Sequence, residues 1–409
     1  MPTGAGAVAA RPGRIVALDG VRGIAASAVL VFHVSYGRRV GGALGVDAFF
    51  VLSGFLITNL LIGEHRRTGT LDLLRFWARR ATRLWPPLAV FVLFTLAFTS
   101  DLDYGHSVRE YLHEVFAAGT WSMDALASES PAIPRHLSYT WTLAIEEQFY
   151  LVWPVVFLFL LRRRVRAAAL VGGLLVAALA SWAGLMLAWH DTAYLPAVYT
   201  RPDTRAYAVL IGCALAIALD DDRLRGGLER VLRNPFTGWI GAALVLGAFL
   251  GPSAGSTTLR QSLMYGAPAV AVGTAALIGH AALRGESLVL RVLGSPPLRA
   301  LGAISYSLYL VQQPVLVLVQ DWTGRSLPGS GSAFKVELAG LAVLAAIVLW
   351  YVVERPATQL AHRIGARPDE TSAAPARARW RVLGAVPVAL VAVGCAVALL
   401  WPGPTHLVS

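Results

Sequence analysis

Residues 15–33 read "IVALDGVRGIAASAVLVFH", an apolar stretch that nevertheless contains three ionisable side chains, Asp19, Arg22 and His33. A helix of about 20 apolar residues is long enough to cross the hydrocarbon core of a bilayer. Because ionisable groups are costly inside such a span, each of them is a candidate functional residue. The stretch therefore predicts a retained membrane-spanning helix that carries chemistry, and not a cleaved signal peptide.

Similar apolar runs recur along all 409 residues, of which 56% are hydrophobic and only 14% are charged. The runs are 15–36, 42–62, 84–100, 139–161, 167–189, 204–219, 236–251, 263–283, 299–320, 333–353 and 381–401. They predict an all-α fold, a polytopic membrane helical bundle of about 10 core transmembrane helices plus one appended C-terminal helix.

The net charge of +11 raises the question of a nucleic-acid partner, but most of the Lys and Arg residues fall in alternate connections between the predicted spans. The positive-inside rule then places the N-terminus in the cytoplasm of a multi-pass plasma-membrane protein, and the C-terminus outside if the last span crosses. The lipid bilayer explains the basic residues, and we expect no nucleic-acid partner.

The connections divide the chain. Residues 1–356 are expected to form the transmembrane catalytic domain, 357–380 a Pro, Ala and Arg-rich cytoplasmic linker, and 381–409 an additional transmembrane helix with a short outer tail. The long connection at 101–138 is either a lid or substrate mouth, or an ordered connector. Cys213 and Cys395 lie within predicted spans and have no disulfide or metal-ligand spacing, so we predict apolar packing for both and no metal site.

Arg22 and His33 share one helical face and are separated by about 16 Å along the axis. That separation suits a thioester donor whose polar part is held at Arg22 while His33 activates a hydroxyl beyond it. A structural Asp19–Arg22 pair with a satisfied interior histidine is the alternative.

The second span opens with "GGALGVDAFFVLSGFLIT" (41–58), and its Gly41, Gly42, Gly45 and Gly54 favour close approach of helix backbones. Asp47 is expected at a depth similar to that of His33, where its carboxylate would orient and polarise the imidazole for general-base chemistry. Helix capping or packing is the alternative for Asp47.

Three further groups of polar residues are candidates. Arg79, Arg80 and Arg83 in "FWARRATRLWPP" (76–87) suit the phosphates of coenzyme A, although positive-inside anchoring explains them equally well. Glu146 and Glu147 are adjacent within one span, so one is expected to face the site while the other pairs with an arginine, and Tyr150 can hydrogen-bond to either. Arg201, Asp203 and Arg205 form either a network at a substrate entrance or an ordinary loop ion cluster. Tyr309, in an unusually polar span, is a candidate for substrate binding, and Glu354 is interpreted as a structural helix end.

Together these segments resemble the acyltransferase-3 family of membrane acyltransferases, which modify cell-surface polysaccharides, lipopolysaccharide and some glycosylated natural products. The resemblance rests on "LDGVRGIAASAVLVFH" (18–33), "GVDAFFVLSGFLIT" (45–58), "FWARRATRLWPP" (76–87), "WTLAIEEQFYLVWP" (141–154), "RPDTRAYAVLIGCALA" (201–216), "ISYSLYL" (304–310) and "ERP" (354–356). It implies that His33 of the Arg-x10-His pattern is essential to acyl transfer, that Arg79, Arg80 and Arg83 act on the donor side, and that Glu146 and Glu147 are the family's paired glutamates. It also implies an acyl-coenzyme A donor from the cytoplasm and an acceptor that faces outward.

Two departures qualify the resemblance. Where many members have a second histidine in the ninth span, this chain has Gln312, which hydrogen-bonds but does not exchange a proton, so proton transfer should rest on His33. Fused relatives also continue from the eleventh span into an outer SGNH esterase-like domain that this sequence does not contain, so we expect that any second step belongs to a separate protein or that none exists.

The resulting hypothesis is an O-acyltransferase that moves an acyl group, expected to be acetyl, from acyl-CoA to a carbohydrate hydroxyl. No cofactor is expected to be bound permanently. Direct transfer and a covalent acyl-enzyme both stay open at this point. The competing class is a polytopic transporter or flippase of a sugar-containing substrate, in which the buried charges would line a translocation path.

Overall fold

In the computed structural model of the chain, the described residues are 15–37, 39–98, 115–120, 122–124, 137–191, 196–251, 260–284, 286–327 and 330–365. Over these ranges the chain is helical and contains no β-strand. The long helices are α1 (Val16–Val34), α2 (Gly45–Thr68), α3 (Leu73–Phe98), α4 (Trp141–Arg162), α5 (Ala167–Asp191), α6 (Pro202–Asp220), α7 (Pro235–Leu250), α8 (Ala267–Leu283), α9 (Ser305–Thr323) and α10 (Ser332–Leu349). The predicted all-α bundle is confirmed, and each predicted core span corresponds to one of these helices.

Within the described ranges, 7 helices are long and apolar enough to cross a membrane, and an eighth joins them if the pair Pro296–Ala303 and α9, bent by 70°, counts as one span. The helix α7 is apolar but has only 16 residues. The helix α3 has 26 residues and carries four arginines in its first half, which lowers its apolar character. The predicted eleventh span at 381–401 lies outside the described residues.

The outer surface of the bundle is apolar. On α5, Leu175, Val176, Leu179 and Leu187 have exposed fractions of 48–70%, while the opposite face of the helix packs against α6. A row of exposed aliphatic side chains on one helix face is unfavourable in water and favourable in hydrocarbon. The bilayer is therefore the solvent for this face.

The helix α2 lies at the centre and packs against α1, α4, α6 and α8. Glycine permits its closest contact: a Cβ added at Gly54 would lie 2.1 Å from the carbonyl oxygen of Val209 on α6. A Cβ on Gly41, Gly42 or Gly45 would also lie within 2.5 Å of a backbone oxygen. The prediction of close backbone approach at these glycines is confirmed.

After α10 the chain continues without a break into a π-helical turn, Trp350–Glu354, and then into the helix Arg355–Gly365. That helix buries Ala357 and Ala361 and packs against α3. Residues 357–365, predicted to belong to a linker, are therefore helical, and Ala357 and Ala361, four residues apart, lie on the buried face of this helix. The rest of the predicted linker, like most of the connection at 101–138, lies outside the described residues.

Candidate active site

Ionisable and hydroxyl side chains from six elements meet inside the bundle, and we call this cluster the polar chamber. We define the chamber as Arg22 on α1, Ser53 on α2, Arg80 and Arg83 on α3, Glu146, Glu147 and Tyr150 on α4, Tyr306 and Ser307 on α9, and Glu354 on the π-turn. These residues are hundreds of positions apart in sequence and meet because α2 brings α1 and α4 together while α3 packs against α4, α9 and the π-turn.

Arg22 points into the chamber. The charged and phenolic groups that act on its guanidinium are Arg83, Glu354, Glu146 and Tyr150. Asp19 is not among these groups, which favours the interpretation of Arg22 as a site residue over that of a structural Asp19–Arg22 pair.

The three arginines of α3 separate into two groups. The Arg79 guanidinium lies 3.7 Å from the Glu64 carboxylate near the α2–α3 connection. Arg80 instead lies over the Tyr150 ring at 4.6 Å, and Arg83 acts on the charges of Arg22 and Glu354. Since side chains at successive positions of a helix point about 100° apart, only part of the cluster can face the chamber.

The paired glutamates also take different neighbours. Tyr150 donates its hydroxyl proton to Glu146 Oε2 at 2.9 Å, and the same hydroxyl lies 2.8 Å from Ser53 Oγ. Glu147 has Arg80 as its first charged neighbour. Tyr150 therefore bonds to Glu146, while Glu147 lies in the field of Arg80; the prediction that only one of the two glutamates faces the site stays a prediction.

Glu354 is a chamber residue that the sequence interpretation placed only at a helix end. It is 3% exposed, and its Oε2 accepts hydrogen bonds from Ser307 Oγ at 2.6 Å and from Ser307 N at 3.2 Å. The signal that could have revealed it is the proline after Arg355, which disturbs the helical hydrogen bonding there.

At the other end of α1, the His33 imidazole lies among aromatic and amide groups. Its ring centroid is 6.5 Å from that of Tyr139, and the Gln312 side chain on α9 approaches the imidazole. Nδ1 of His33 and Oε1 of Gln312 are both buried without a well-formed hydrogen bond. Packing thus positions the imidazole, and no carboxylate within the described ranges acts on it.

Tyr309 connects the two ends. Its hydroxyl donates to the Tyr139 carbonyl and also hydrogen-bonds Thr142, its ring lies 5.7 Å from that of Tyr139, and Glu146 acts on it electrostatically. Ring contacts therefore join His33 to Tyr139 and Tyr139 to Tyr309, and Glu146 of the chamber acts on Tyr309 through its charge. No sequence spacing relates these residues, because three different elements supply them.

Asp47 does not contact His33, which corrects the predicted pairing. Its Oδ2 accepts a hydrogen bond from Arg205 Nη2 at 2.9 Å, and its Oδ1 accepts from the Tyr207 hydroxyl at 2.5 Å. Asp47 and Arg205 are both 0% exposed. The rotation of α2 directs the carboxylate toward α6, so the predicted alternative of a packing role describes Asp47 better.

The residues at the start of α6 also divide. Arg201 donates two hydrogen bonds to the Asp203 carboxylate, at 3.0 and 2.6 Å, and both side chains are largely exposed. Arg205 turns inward and lies over the Tyr199 ring at 4.7 Å. The three residues predicted as one entrance network therefore form two separate pairs.

A known protein family matches this architecture along most of its length. The family model described as an acyltransferase domain, acyltransferase-3, matches residues 15–355. The chain belongs to the acyltransferase-3 family. The matched range begins at α1 and ends one residue after Glu354, so it contains every chamber residue defined above.

Three relatives of this acyltransferase-3 chain illustrate the family. It is 34% identical over 321 residues to the O-acetyltransferase OatA of Staphylococcus aureus, covering 76% of this chain and 52% of the relative. It is 33% identical to the putative peptidoglycan O-acetyltransferase YrhL of Bacillus subtilis, covering 74% and 49%, and 32% identical to the peptidoglycan O-acetyltransferase OatA of Listeria monocytogenes, covering 74% and 50%. The chain spans about half the length of these relatives. No solved structure matches it.

Within this acyltransferase-3 chain, the described residues contain no group of three or more His, Cys, Asp or Glu side chains in an arrangement that holds a metal ion. His280, whose ring is fully buried on α8, is held by the Leu232 carbonyl at 2.7 Å and by Ser287 Oγ at 3.0 Å. These partners give that histidine a structural role away from the chamber.

Proposed function

We propose that the chain is a membrane-embedded O-acyltransferase that moves an acetyl group from acetyl-CoA to a carbohydrate hydroxyl. The observation that carries the proposal is that the chamber with its three arginines lies at one end of α1 and the His33 imidazole, which has no carboxylate partner among the described residues, lies at the other. Family membership supports the acyl-transfer chemistry. The named relatives support an acetyl group and a glycan acceptor.

Arg22, Arg80 and Arg83 would bind the phosphates of the donor. Guanidinium groups present planar sets of donors that match phosphate oxygens, and their hydrogen bonds are stronger in a site that excludes water. In the described part of the chain, none of the three forms an ion pair with a carboxylate, whereas Arg66, Arg79, Arg201 and Arg205 do. Their donor groups are therefore available to an anionic ligand.

His33 would act as the general base at the acceptor end. Its neutral imidazole takes the proton of the carbohydrate hydroxyl while that oxygen attacks the thioester carbonyl. The tetrahedral intermediate collapses to the ester, the C–S bond breaks, and the thiolate of coenzyme A takes the proton back from the imidazolium. Gln312 and Tyr139 hold the ring in place during this exchange, and neither needs to change its protonation state.

The acceptor is expected to be a cell-surface glycan. Peptidoglycan comes first because two of the named relatives carry that word in their names; a lipid-linked glycan or a glycosylated natural product is the next candidate. The distribution of Lys and Arg supports a plasma-membrane topology in which the N-terminus and the Arg22 end of α1 face the cytoplasm and the His33 end faces outward. In this topology the donor enters at the cytoplasmic end of α1 and the acceptor enters at the outer end.

The domain division follows from the same arrangement. Residues 1–356 would form the catalytic domain, since the chamber ends at Glu354, and 381–409 would add a further span with a short outer tail. The connecting linker would begin after the helix Arg355–Gly365. These boundaries are proposals for the parts beyond the described residues.

The test is acetyl transfer from radiolabelled acetyl-CoA to muropeptide fragments by purified protein in nanodiscs. We expect transfer, and we expect His33→Ala to reduce its rate by roughly 10²-fold or more, the usual contribution of a general base. His280→Ala is a histidine control outside the chamber, normalised to folded protein. A folded His33→Ala protein with full activity would contradict the assignment, and absence of binding and transfer of acetyl-CoA in the wild type would contradict the proposed donor.

A further inference from the structure

Glu354 lies where no regular α-helix would put it. The Arg355 N–H bonds to the Trp350 carbonyl, five residues earlier, as a π-turn requires. Pro356 has no N–H to offer the carbonyl four residues before it, so the regular bonding pattern is interrupted here. The widened turn buries Glu354 while Tyr351, Val352 and Arg355 stay exposed. Such turns often occur at functional sites.

The Glu354 carboxylate is hydrogen-bonded to Ser307, and two arginines act on its charge. Both Ser307 hydrogen bonds go to Oε2, which fixes the side chain against the first turn of α9. The arginines that act on it are Arg83 first and Arg22 second. Yet the described residues show no direct ion pair between Glu354 and either guanidinium. The serine therefore keeps the carboxylate near the two arginines without neutralising them.

We propose that Glu354 is the counter-charge of the donor site, competing electrostatically with the phosphates of the bound donor for Arg22 and Arg83 and thereby setting how fast the product coenzyme A leaves. This inference rests on the proposed donor-binding role of those arginines. It makes Glu354 a residue that positions charge at the donor site.

The physical reason is charge balance in a site of low dielectric. Two guanidinium groups in one site of low dielectric repel each other, and the fewer carboxylates lie beside them, the more tightly they hold a polyphosphate. A fixed carboxylate lowers the electrostatic free energy of the chamber without ligand. It also weakens the binding of phosphates because it repels them. Coenzyme A carries the same phosphates as product that it carried as donor, so an enzyme that turns over must limit that affinity.

The experiment measures coenzyme A binding and turnover of the full chain in nanodiscs for the wild type, Glu354→Gln and Ser307→Ala. Glutamine keeps an acceptor oxygen for Ser307 but removes the charge. We expect Glu354→Gln to bind coenzyme A roughly three- to tenfold more tightly, with a slower off-rate and a lower kcat. Ser307→Ala removes the hydroxyl bond, frees the carboxylate to approach the arginines, and should weaken coenzyme A binding.

The two variants are expected to change the affinity for coenzyme A in opposite directions. This distinguishes the proposed role from a structural one, since damage to the chamber would weaken binding in both variants. Glu229→Gln, an acid-to-amide change in a surface pair with Arg233, is the matched control and should bind coenzyme A like the wild type. Unchanged or weaker binding by folded Glu354→Gln overturns the inference. If Glu354→Gln does not fold, unchanged or tighter binding by Ser307→Ala overturns it instead. No binding by the wild type would refute the proposed donor site itself, which is a distinguishable result.

Discussion

Asp47 and Arg205 form an ion pair at 2.9 Å in which both side chains are completely buried. The pair joins the first turn of α2 to the first turn of α6, and Tyr207 completes it by donating to the second carboxylate oxygen. Because the remaining Nε and Nη1 of Arg205 have no hydrogen-bond partner among the described residues, Asp47 is the main compensation for that buried charge.

Removing one partner of this pair should destabilise the fold. Asp47→Ala leaves a buried guanidinium uncompensated, and such changes typically cost about 3–5 kcal/mol. We expect a lower midpoint of thermal unfolding in detergent for Asp47→Ala and for Arg205→Ala, with a double variant less destabilised than the sum. The exposed Arg201–Asp203 pair is the control, and Arg201→Ala should change stability by less than about 1 kcal/mol. A stable but inactive Asp47→Ala protein would contradict this structural role.

Gly54 and Gly212 set the distance between α2 and α6. A Cβ at either position would lie 2.1 Å from a backbone oxygen of the facing helix, so alanine there must push the helices apart. We expect Gly54→Ala to reduce the free energy of unfolding by about 1–3 kcal/mol, as overpacking does. Gly247→Ala on α7, where a Cβ meets nothing within 4 Å, should be neutral or slightly stabilising. Equal effects at the two sites would be inconsistent with this packing.

The arginines of α3 should differ in their effect on the donor. Loss of a charge-assisted hydrogen bond to a phosphate costs about 1.5–3 kcal/mol, so Arg83→Gln should raise the KM for acetyl-CoA roughly tenfold or more. Arg79→Gln should change that KM by less than about threefold, since Arg79 pairs with Glu64 outside the chamber. The KM for the acceptor should stay the same in both. A larger effect at Arg79 than at Arg83 would refute the division of this cluster.

Direct transfer, in which His33 only moves a proton, predicts no covalent acetyl-protein. Rapid quench of the enzyme with radiolabelled acetyl-CoA, without acceptor, should leave no label on the polypeptide. When muropeptide acceptor is included in the same rapid-quench experiment, labelled product should form at the steady-state rate. Stoichiometric label that forms without acceptor and is lost when acceptor is added would establish an acyl carrier in place of direct transfer.

Gln312 offers a further test at the acceptor end. Gln312→Leu keeps a similar volume beside His33 but removes the amide, and we expect a lower kcat with an unchanged KM for acetyl-CoA. Gln313→Leu on the same helix is the matched control, since the imidazole of His33 is approached by Gln312. A change in the donor KM for Gln312→Leu would place this residue on the donor side and contradict the proposed arrangement.

Much of the fold could be predicted from hydrophobicity alone. The core spans, the glycine-mediated approach of α2 and the polar face of α1 all follow from local composition and helical spacing, which the bilayer enforces because every backbone polar group must be satisfied within the helix. The bend of 70° between Pro296–Ala303 and α9 and the π-turn before Arg355 did not follow, since hydropathy does not report helix direction or hydrogen-bond register.

The side-chain pairings show the same boundary. Tyr150 could be paired with Glu146 or Glu147 from sequence because the three residues share a helix, where geometry is known in advance. Asp47 could not be paired with Arg205, 158 positions away, because the rotation of α2 about its axis depends on which helices pack around it. The sequence by itself therefore determined the membrane helices, the family and the residues able to do acyl-transfer chemistry. Only the tertiary structure decided that Arg22, Arg80, Arg83 and Glu354 share one chamber while Arg79, Asp47 and Arg205 do not, because helix rotation is settled by packing between distant segments.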